Sequence, residues 1–377
     1  MFLNLPQPFP CLVGIPPGED YDAILDAADC WSVKCSCTLN DDHDELQTVF
    51  GRSHLRIVET DLSQASLTKL TQLSSNSRIA ALVQGLLIHR GEDAALGRGF
   101  NWSRNSLGKI TPPAVLISQL AAVVQSLTNC VHFGVSRAPN PIFTAVDKTQ
   151  PSPSEAVTIL NTVIALTKRE VKTYGIDFRL YSHTPSMKAN PIDQVSLESI
   201  HIGDPAFLHS LQSLETLTLQ FPIESEASTS SFALALIQSA PSIQNLAIDF
   251  DEGTSAGPFL STLLSTGPTM QLETLTLTKG TLSGRDVLTL FIYNCVNLRS
   301  LHLEQIRLEE NGSWLRIMDL LRNGFPCLEE AKLLELMSGN DAIDWWSLEL
   351  AGVGKEDVGG KSRRRRFVWD RVEEMPY

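Results

Sequence analysis

The chain lacks any apolar run long enough to cross a bilayer. Its longest, Ala114 to Leu127, is interrupted by Ser118, Gln119 and Gln125, whereas a spanning helix needs about 20 apolar residues. A basic leader is missing too. Met1-Phe2-Leu3-Asn4-Leu5-Pro6 carries no Lys or Arg, and Pro6, Pro8 and Pro10 break any apolar core of a signal peptide. An intracellular protein without a membrane partner is therefore expected, and the sequons at Asn101 and Asn311 then carry no glycan. Cysteine is scarce: seven in 377 residues do not suggest a disulfide framework, and reduced thiols are expected. Basic residues are in deficit, 30 against 43 acids, for a net charge of −13. That balance excludes non-specific nucleic-acid binding, which needs clustered Lys and Arg, and it favours a basic partner. Charged residues make up only 19% and apolar residues 43%, the composition of a folded protein and not a disordered one.

Catalytic signatures are also missing. Gly-x-Ser-x-Gly, His-Glu-x-x-His and Gly-x-Gly-x-x-Gly do not occur. The eight histidines are scattered. Cys30, Cys35 and Cys37, with His43 and Cys11, have metal-like composition, but zinc sites pair their cysteines in knuckles separated by a loop. The spacing here lacks the pairs, so reduced thiols are expected, with no metal and no cofactor. Gly359-Gly360-Lys361-Ser362 fails as a phosphate loop: the position that must be Gly is Lys355, and Arg363 to Arg366 stand where an apolar helix should begin. The reading is a non-enzyme, the alternative being an enzyme with a dispersed site.

What the sequence does contain is a repeat. The phrase Leu-x-x-Leu-x-Leu occurs at Leu214, Leu217 and Leu219. It returns at Ile243, Leu246 and Ile248, at Leu272, Leu275 and Leu277, and at Leu298, Leu301 and Leu303. A degraded copy follows at Leu328, Ala331 and Leu333. The intervals are 29, 29, 26 and 30 residues. Weaker copies precede these at Val83-Leu86-Ile88, Leu127-Cys130-His132, Val171-Tyr174-Ile176 and Leu197-Ile200-Ile202. Their spacings of 44, 44 and 26 residues imply insertions in the N-terminal half, and the 17 residues from Leu197 to Leu214 leave room only for a tight return near Gly203-Asp204-Pro205.

Alternation puts the leucines of each phrase on the inner face of a strand. Between phrases, apolar residues three and four apart precede a stop signal: Phe232, Leu236 and Ile237 before Pro241, and Phe259, Leu260, Leu263 and Leu264 before Gly267-Pro268. Val287, Leu290 and Phe291 precede Asn294, and Trp314, Ile317, Met318 and Leu321 precede Gly324. These are helices. One strand and one helix per repeat give an α/β leucine-rich-repeat solenoid, a horseshoe with a strand-lined concave face and helices on the convex side. The Asn that usually bonds the turn after the third leucine is absent, with Gly280 and Ile306 in its place, so the turns must satisfy their backbone groups otherwise.

The non-leucine strand positions point outward and form the candidate partner-binding strip: Ser199 and His201; Thr216, Thr218 and Gln220; Asn245, Ala247 and Asp249; Thr274, Thr276 and Thr278; Ser300, His302 and Glu304. The strip is small, polar and rich in hydroxyls, with few of the aromatic or Arg anchors that dominate interfaces. The bland alternative is a solvated sheet face favoured by the β-propensity of Thr.

The same residues, together with Gly99-Phe100-Asn101-Trp102, Leu127-Thr128-Asn129-Cys130 and Asn311-Gly312-Ser313-Trp314, then Phe325-Pro326-Cys327-Leu328-Glu329, resemble fungal F-box-like leucine-rich-repeat proteins over about residues 78 to 335. The resemblance implies a solenoid that holds a protein substrate and an F-box that docks the adaptor of a cullin-based ubiquitin ligase. The N-terminal residues depart from it: Leu5-Pro6-Gln7-Pro8 runs on into more prolines, and only Tyr21 to Asp29 reads as a short helix. The expected organisation is an irregular segment over 1–64 (a degenerate F-box remnant under the resemblance), a solenoid over 65–340 and a mobile tail over 341–377. In that tail Lys361 and Arg363, Arg364, Arg365 and Arg366 read either as a nuclear-localisation signal or as a solvated basic patch, so the expected location is cytoplasmic, nuclear or both. Protein–protein recognition is the expected function, with substrate selection for a ligase or a stand-alone scaffold as its two forms.

Overall fold

The structure, a computed structural model, describes residues 55–90, 95–106, 108–137, 150–178, 204–221, 223, 228–250, 255–266, 270–309 and 314–338, and the backbone of strands at 341–350 and 368–371. Strands form where the sequence alternates. They are β1 (Ile57–Thr60), β2 (Gly85–Arg90), β3 (Ser103–Arg104), β4 (Ile110–Thr111), β5 (His132–Arg137), β6 (Thr173–Asp177), β7 (Thr216–Gln220) and β8 (Asn245–Asp249), then β9 (Thr274–Thr278), β10 (Thr281–Leu282), β11 (Ser300–Glu304), β12 (Arg307–Leu308), β13 (Glu330–Ser338), β14 (Asp341–Leu350) and β15 (Val368–Arg371). Helices lie between them: α1 (Gln64–Ser75), α2 (Ser77–Ala80), α3 (Ala114–Ser126), α4 (Pro153–Thr167), α5 (Pro205–Ser210), α6 (Ser228–Gln238), α7 (Gly257–Thr266), α8 (Gly284–Asn294) and α9 (Trp314–Asn323).

The protein is α/β, built on one large open sheet. Its parallel path runs β1-β2-β5-β6-β7-β8-β9-β11-β13, then returns through β12 and β10. Strand order along the main path follows chain order, so each helix carries the chain one step sideways. The register is unbroken. One inward row is Val58, Leu86, Phe133, Tyr174, Leu217, Leu246, Leu275, Leu301 and Ala331. A second is Thr60, Ile88, Val135, Ile176, Leu219, Ile248, Leu277, Leu303 and Leu333, and all but Thr60 join one continuous core with the buried faces of the helices. The described helices thus cover one face of the sheet and leave the other without them.

This register departs from the expected pattern in the N-terminal half. The repeat at β5 is Cys130-x-x-Phe133-x-Val135, three residues on from the expected copy, because Phe133 pairs with Leu86 and Tyr174. His132, expected inward, therefore points to the helix-free face. The copy at Leu197, Ile200 and Ile202, with Ser199 and His201, lies outside the described residues, and in the sheet β6 bonds directly to β7. The inward residues from Val58 to Leu217 are spaced by 28, 47, 41 and 43 residues, against 29, 29, 26 and 30 from Leu217 to Ala331. Among the described residues the parallel sheet begins at Ile57, inside the stretch expected as the N-terminal segment. At the other end β14 pairs antiparallel with β13 and β15 antiparallel with β14, in the stretch expected as a mobile tail.

The turns without the expected Asn are closed by backbone. Lys279, Gln305 and Glu335 occupy equivalent corners with φ of 57°, 57° and 52°. Lys279 N–H donates to Glu304 O at 2.7 Å, Gln305 N–H to Leu334 O at 2.9 Å, and Arg307 N–H to Gly280 O at 3.0 Å. Each corner then sends Gly280, Ile306 or Leu336 into the core. Elsewhere caps define the elements. Ser152 and Glu155 form a capping box around Pro153 at the start of α4, and buried Glu155 takes an ion pair from Arg104 of the β3–β4 hairpin. Asn294 ends α8 by accepting from Leu272 N–H at 2.9 Å and donating to Leu290 O at 2.8 Å, which ties one repeat to the next. No helix among the described residues is long and apolar enough to cross a membrane.

Candidate functional site

Three outward rows line the helix-free face. The first is Ile57, Gly85, His132, Thr173, Thr216, Asn245, Thr274, Ser300 and Glu330. Through the middle run Glu59, Leu87, Gly134, Gly175, Thr218, Ala247, Thr276, His302 and Lys332. The third contains His89, Ser136, Asp177, Gln220, Asp249, Thr278, Glu304 and Leu334. Every described residue of the strip expected from the sequence falls in these rows, in register from β7 to β11, because period-two alternation leaves no other face for them.

Their environments differ more than the pattern implies. Thr216, Asn245, Ala247, Thr274, Thr276, Thr278, Ser300, His302 and Glu304 are half-buried, while Thr218, Gln220 and Asp249 are buried. Thr218 is 1% exposed and its hydroxyl has no hydrogen-bond partner, an unusual state for a buried polar group. Asn245 Nδ2 donates to Thr216 Oγ1 at 3.1 Å. Asp249 lies 3.6 Å from Lys279 Nζ. His302 Nε2 and Glu304 Oε2 are 3.1 Å apart, and that hydrogen bond, stronger than the opposing effect of burial, holds the Glu304 carboxyl below its usual range.

The face extends beyond the strip. His132 contacts Thr173 (Nδ1 to Oγ1, 2.9 Å) and His89 contacts Ser136 (Nδ1 to Oγ, 2.9 Å). Burial lowers the His132 pKa, Arg56 and Lys172 push the same way, and Glu215 opposes them. The leucine phrase misses His132 because its best match at β5 falls three places early, and alignment on Phe133 and Val135 turns it outward; His89 lies one residue past the third position of the β2 copy, whose register is as expected. Beside the strand starts runs a ladder of pairs between neighbouring repeats: Arg56–Gln84, Lys172–Glu215 and Glu273–Arg299–Glu329. Such exposed pairs add little stability each but repeat the register.

Among the described residues no three His, Cys, Asp or Glu side chains are placed to hold a metal ion. Cys11, Cys30, Cys35, Cys37 and His43, and the basic run Lys361 and Arg363 to Arg366, lie outside the described residues. The strip from β7 to β11 offers hydroxyl and amide hydrogen bonding, two carboxylates and one histidine, and His132 and His89 extend it across β5 and β2. That chemistry suits holding an extended polar surface. No protein-family model matches the chain, and no curated protein is similar to it in sequence.

Proposed function

We propose that the chain is a leucine-rich-repeat solenoid that recognises a protein through the helix-free strand face, and that it is a binding protein, not an enzyme. The observation that carries this reading is the in-register parallel ladder. It repeats the leucines inward and aligns polar side chains outward over β7, β8, β9 and β11. An array of nearly identical rows presents one long surface and concentrates no reactive groups, which is how repeat proteins bind. Substrate selection for a cullin-based ubiquitin ligase is the more specific form, implied by the resemblance to F-box-like proteins. A stand-alone scaffold is the other.

Affinity capture of the tagged full-length protein tests this, beside a deletion of residues 1–54 and the variant Ala247→Tyr, which fills the middle row without touching the core. A partner held by the full-length chain and lost by Ala247→Tyr supports recognition through the face. Adaptor and cullin subunits that follow the full-length chain but not the deletion place it in a ligase. A partner indifferent to Ala247→Tyr refutes the face as the site.

A further inference from the structure

The N-terminal end of the sheet carries a second binding feature. β1 stands last in the strand order, and no strand among the described residues pairs with its outer edge. Arg56 O accepts from Gly85 N–H at 3.0 Å, so the alternation of a parallel ladder turns the peptide groups of Ile57 and Glu59 to the outer side. A sheet edge of this kind offers main-chain hydrogen bonds to an added strand.

The edge does not stand alone. Beside it, between β1 and α1, opens a cleft of about 380 Å³, within the range of ligand pockets, about 300–1,000 Å³. Half-buried Leu55 and exposed Ala65 of α1 give it an apolar side, floored by the buried Val58, Leu70 and Leu73. Glu59 and Asp61 line it as well, and Glu59 belongs to the outward rows. A strand laid along β1 would thus meet apolar surface with one set of side chains and carboxylates with the next. Lys69 also reaches the cleft and has a partner of its own.

We infer that the outer edge of β1 takes an extended segment of a partner protein in which apolar residues alternate with Lys or Arg. Alternation matches the two sides of an added strand, and the basic residues complement Glu59 and Asp61. The chain's own preceding residues are a poor rival by charge, since positions 1–54 hold nine Asp or Glu against two Lys or Arg. The inference uses a surface separate from the β7–β11 strip, so either can fail without the other.

The test is fluorescence anisotropy with the full-length protein and a labelled nine-residue peptide alternating Val or Leu with Lys. One control peptide has the same composition in two blocks, and another has Glu for every Lys. The alternating peptide should bind at least tenfold tighter than either control. Ala65→Trp, which narrows the cleft from an exposed position, and Glu59→Lys should each weaken it tenfold or more, with circular dichroism unchanged. Ala247→Tyr should leave it unaltered. Equal binding of the blocked peptide, or wild-type affinity in Ala65→Trp, overturns the inference. Loss of binding in Ala247→Tyr alone moves the peptide to the strip and overturns it too. Binding that appears only after deletion of residues 1–54 assigns the edge to the chain's own segment and likewise overturns it.

Discussion

Tyr174 is the one hydroxylated side chain in an inward row otherwise filled by Val, Leu, Phe and Ala, and it gives a sharp energetic test. Its hydroxyl donates to Asn161 Oδ1 of α4 at 2.6 Å, with both residues buried, and Asn161 Nδ2 has no partner at all. Burial raises the Tyr174 phenol well above its usual range, so it stays a donor at any working pH. Tyr174→Phe strips the amide of its remaining bond and should cost about 1–3 kcal/mol, the penalty for leaving a buried polar group unpaired. Asn161→Leu orphans the hydroxyl in turn, though it also removes the unpaired amide, so its cost should be smaller. The double variant replaces both partners by apolar groups, which can be nearly neutral. The cycle should therefore show coupling of about 1–2 kcal/mol between α4 and β6. Urea unfolding of the four proteins measures it, provided the slope with denaturant stays constant across them. Additive single effects, within about 0.3 kcal/mol, would show that the hydrogen bond does not hold this helix to the sheet.

Gly280 sits at φ +103°, and a Cβ there would stand 2.8 Å from Phe250 Cβ; Gly280→Ala should lose about 1–3 kcal/mol from strain, and an unchanged melting temperature would refute the turn geometry. Cys130 is buried and its thiol is pushed up to about 12 by burial, so a thiol reagent at pH 8 should label exposed Cys327 quickly and Cys130 only on unfolding; rapid loss of all free thiols in the folded protein would contradict this. His132 has a folded pKa below its ordinary 6.5 because burial disfavours the cation. The unfolded chain then binds the proton more readily, so this contribution to stability is present above pH 6.5 and is lost as pH falls through the folded value. Melting temperatures from pH 8 to 5 should fall less steeply in His132→Gln than in the wild type, and parallel slopes would remove His132 as the cause.

How much of this was legible follows from which residues carry the pattern. From Leu214 to Leu333 the inward rows are almost all Leu or Ile and the spacing is nearly constant, so strands, helices and the outward strip can be read directly. Three of the helices end within a residue or two of the expected stops: α7 at Thr266, α8 at Asn294 and α9 at Asn323. Upstream the same rows are filled by Phe133, Tyr174, Val135 and Thr60. The apolar side chains among them fill the core as well as leucine does, but they do not spell the phrase. The Leu127-Cys130-His132 match is a decoy for that reason. Leu127 and Cys130 are both fully buried, yet they belong to the end of the preceding turn and to the first position of the phrase. The β1 edge and its cleft are illegible for a different reason, since Val58-x-Thr60 offers only one apolar residue to any periodic template.

The corners show what the sequence pattern hides even where it is strong. Losing the turn Asn looks like a deficit to be met elsewhere, and the structure meets it by sending the chain through a left-handed residue at three successive repeats. Lys279, Gln305 and Glu335 share no side-chain chemistry that would favour this conformation, and each non-glycine in that region carries a conformational cost of about 1–2 kcal/mol. They are tolerated because the next residue enters the core and the backbone beyond it pairs again. Arg307 pairs with Thr281 and with Met337, and Leu308 with Leu282 and with Ser338. That second short ladder pairs the backbone just beyond each corner. Asparagine is therefore dispensable here, since the corners close without it, whereas Gly280 is not, since a Cβ at that corner has nowhere to go.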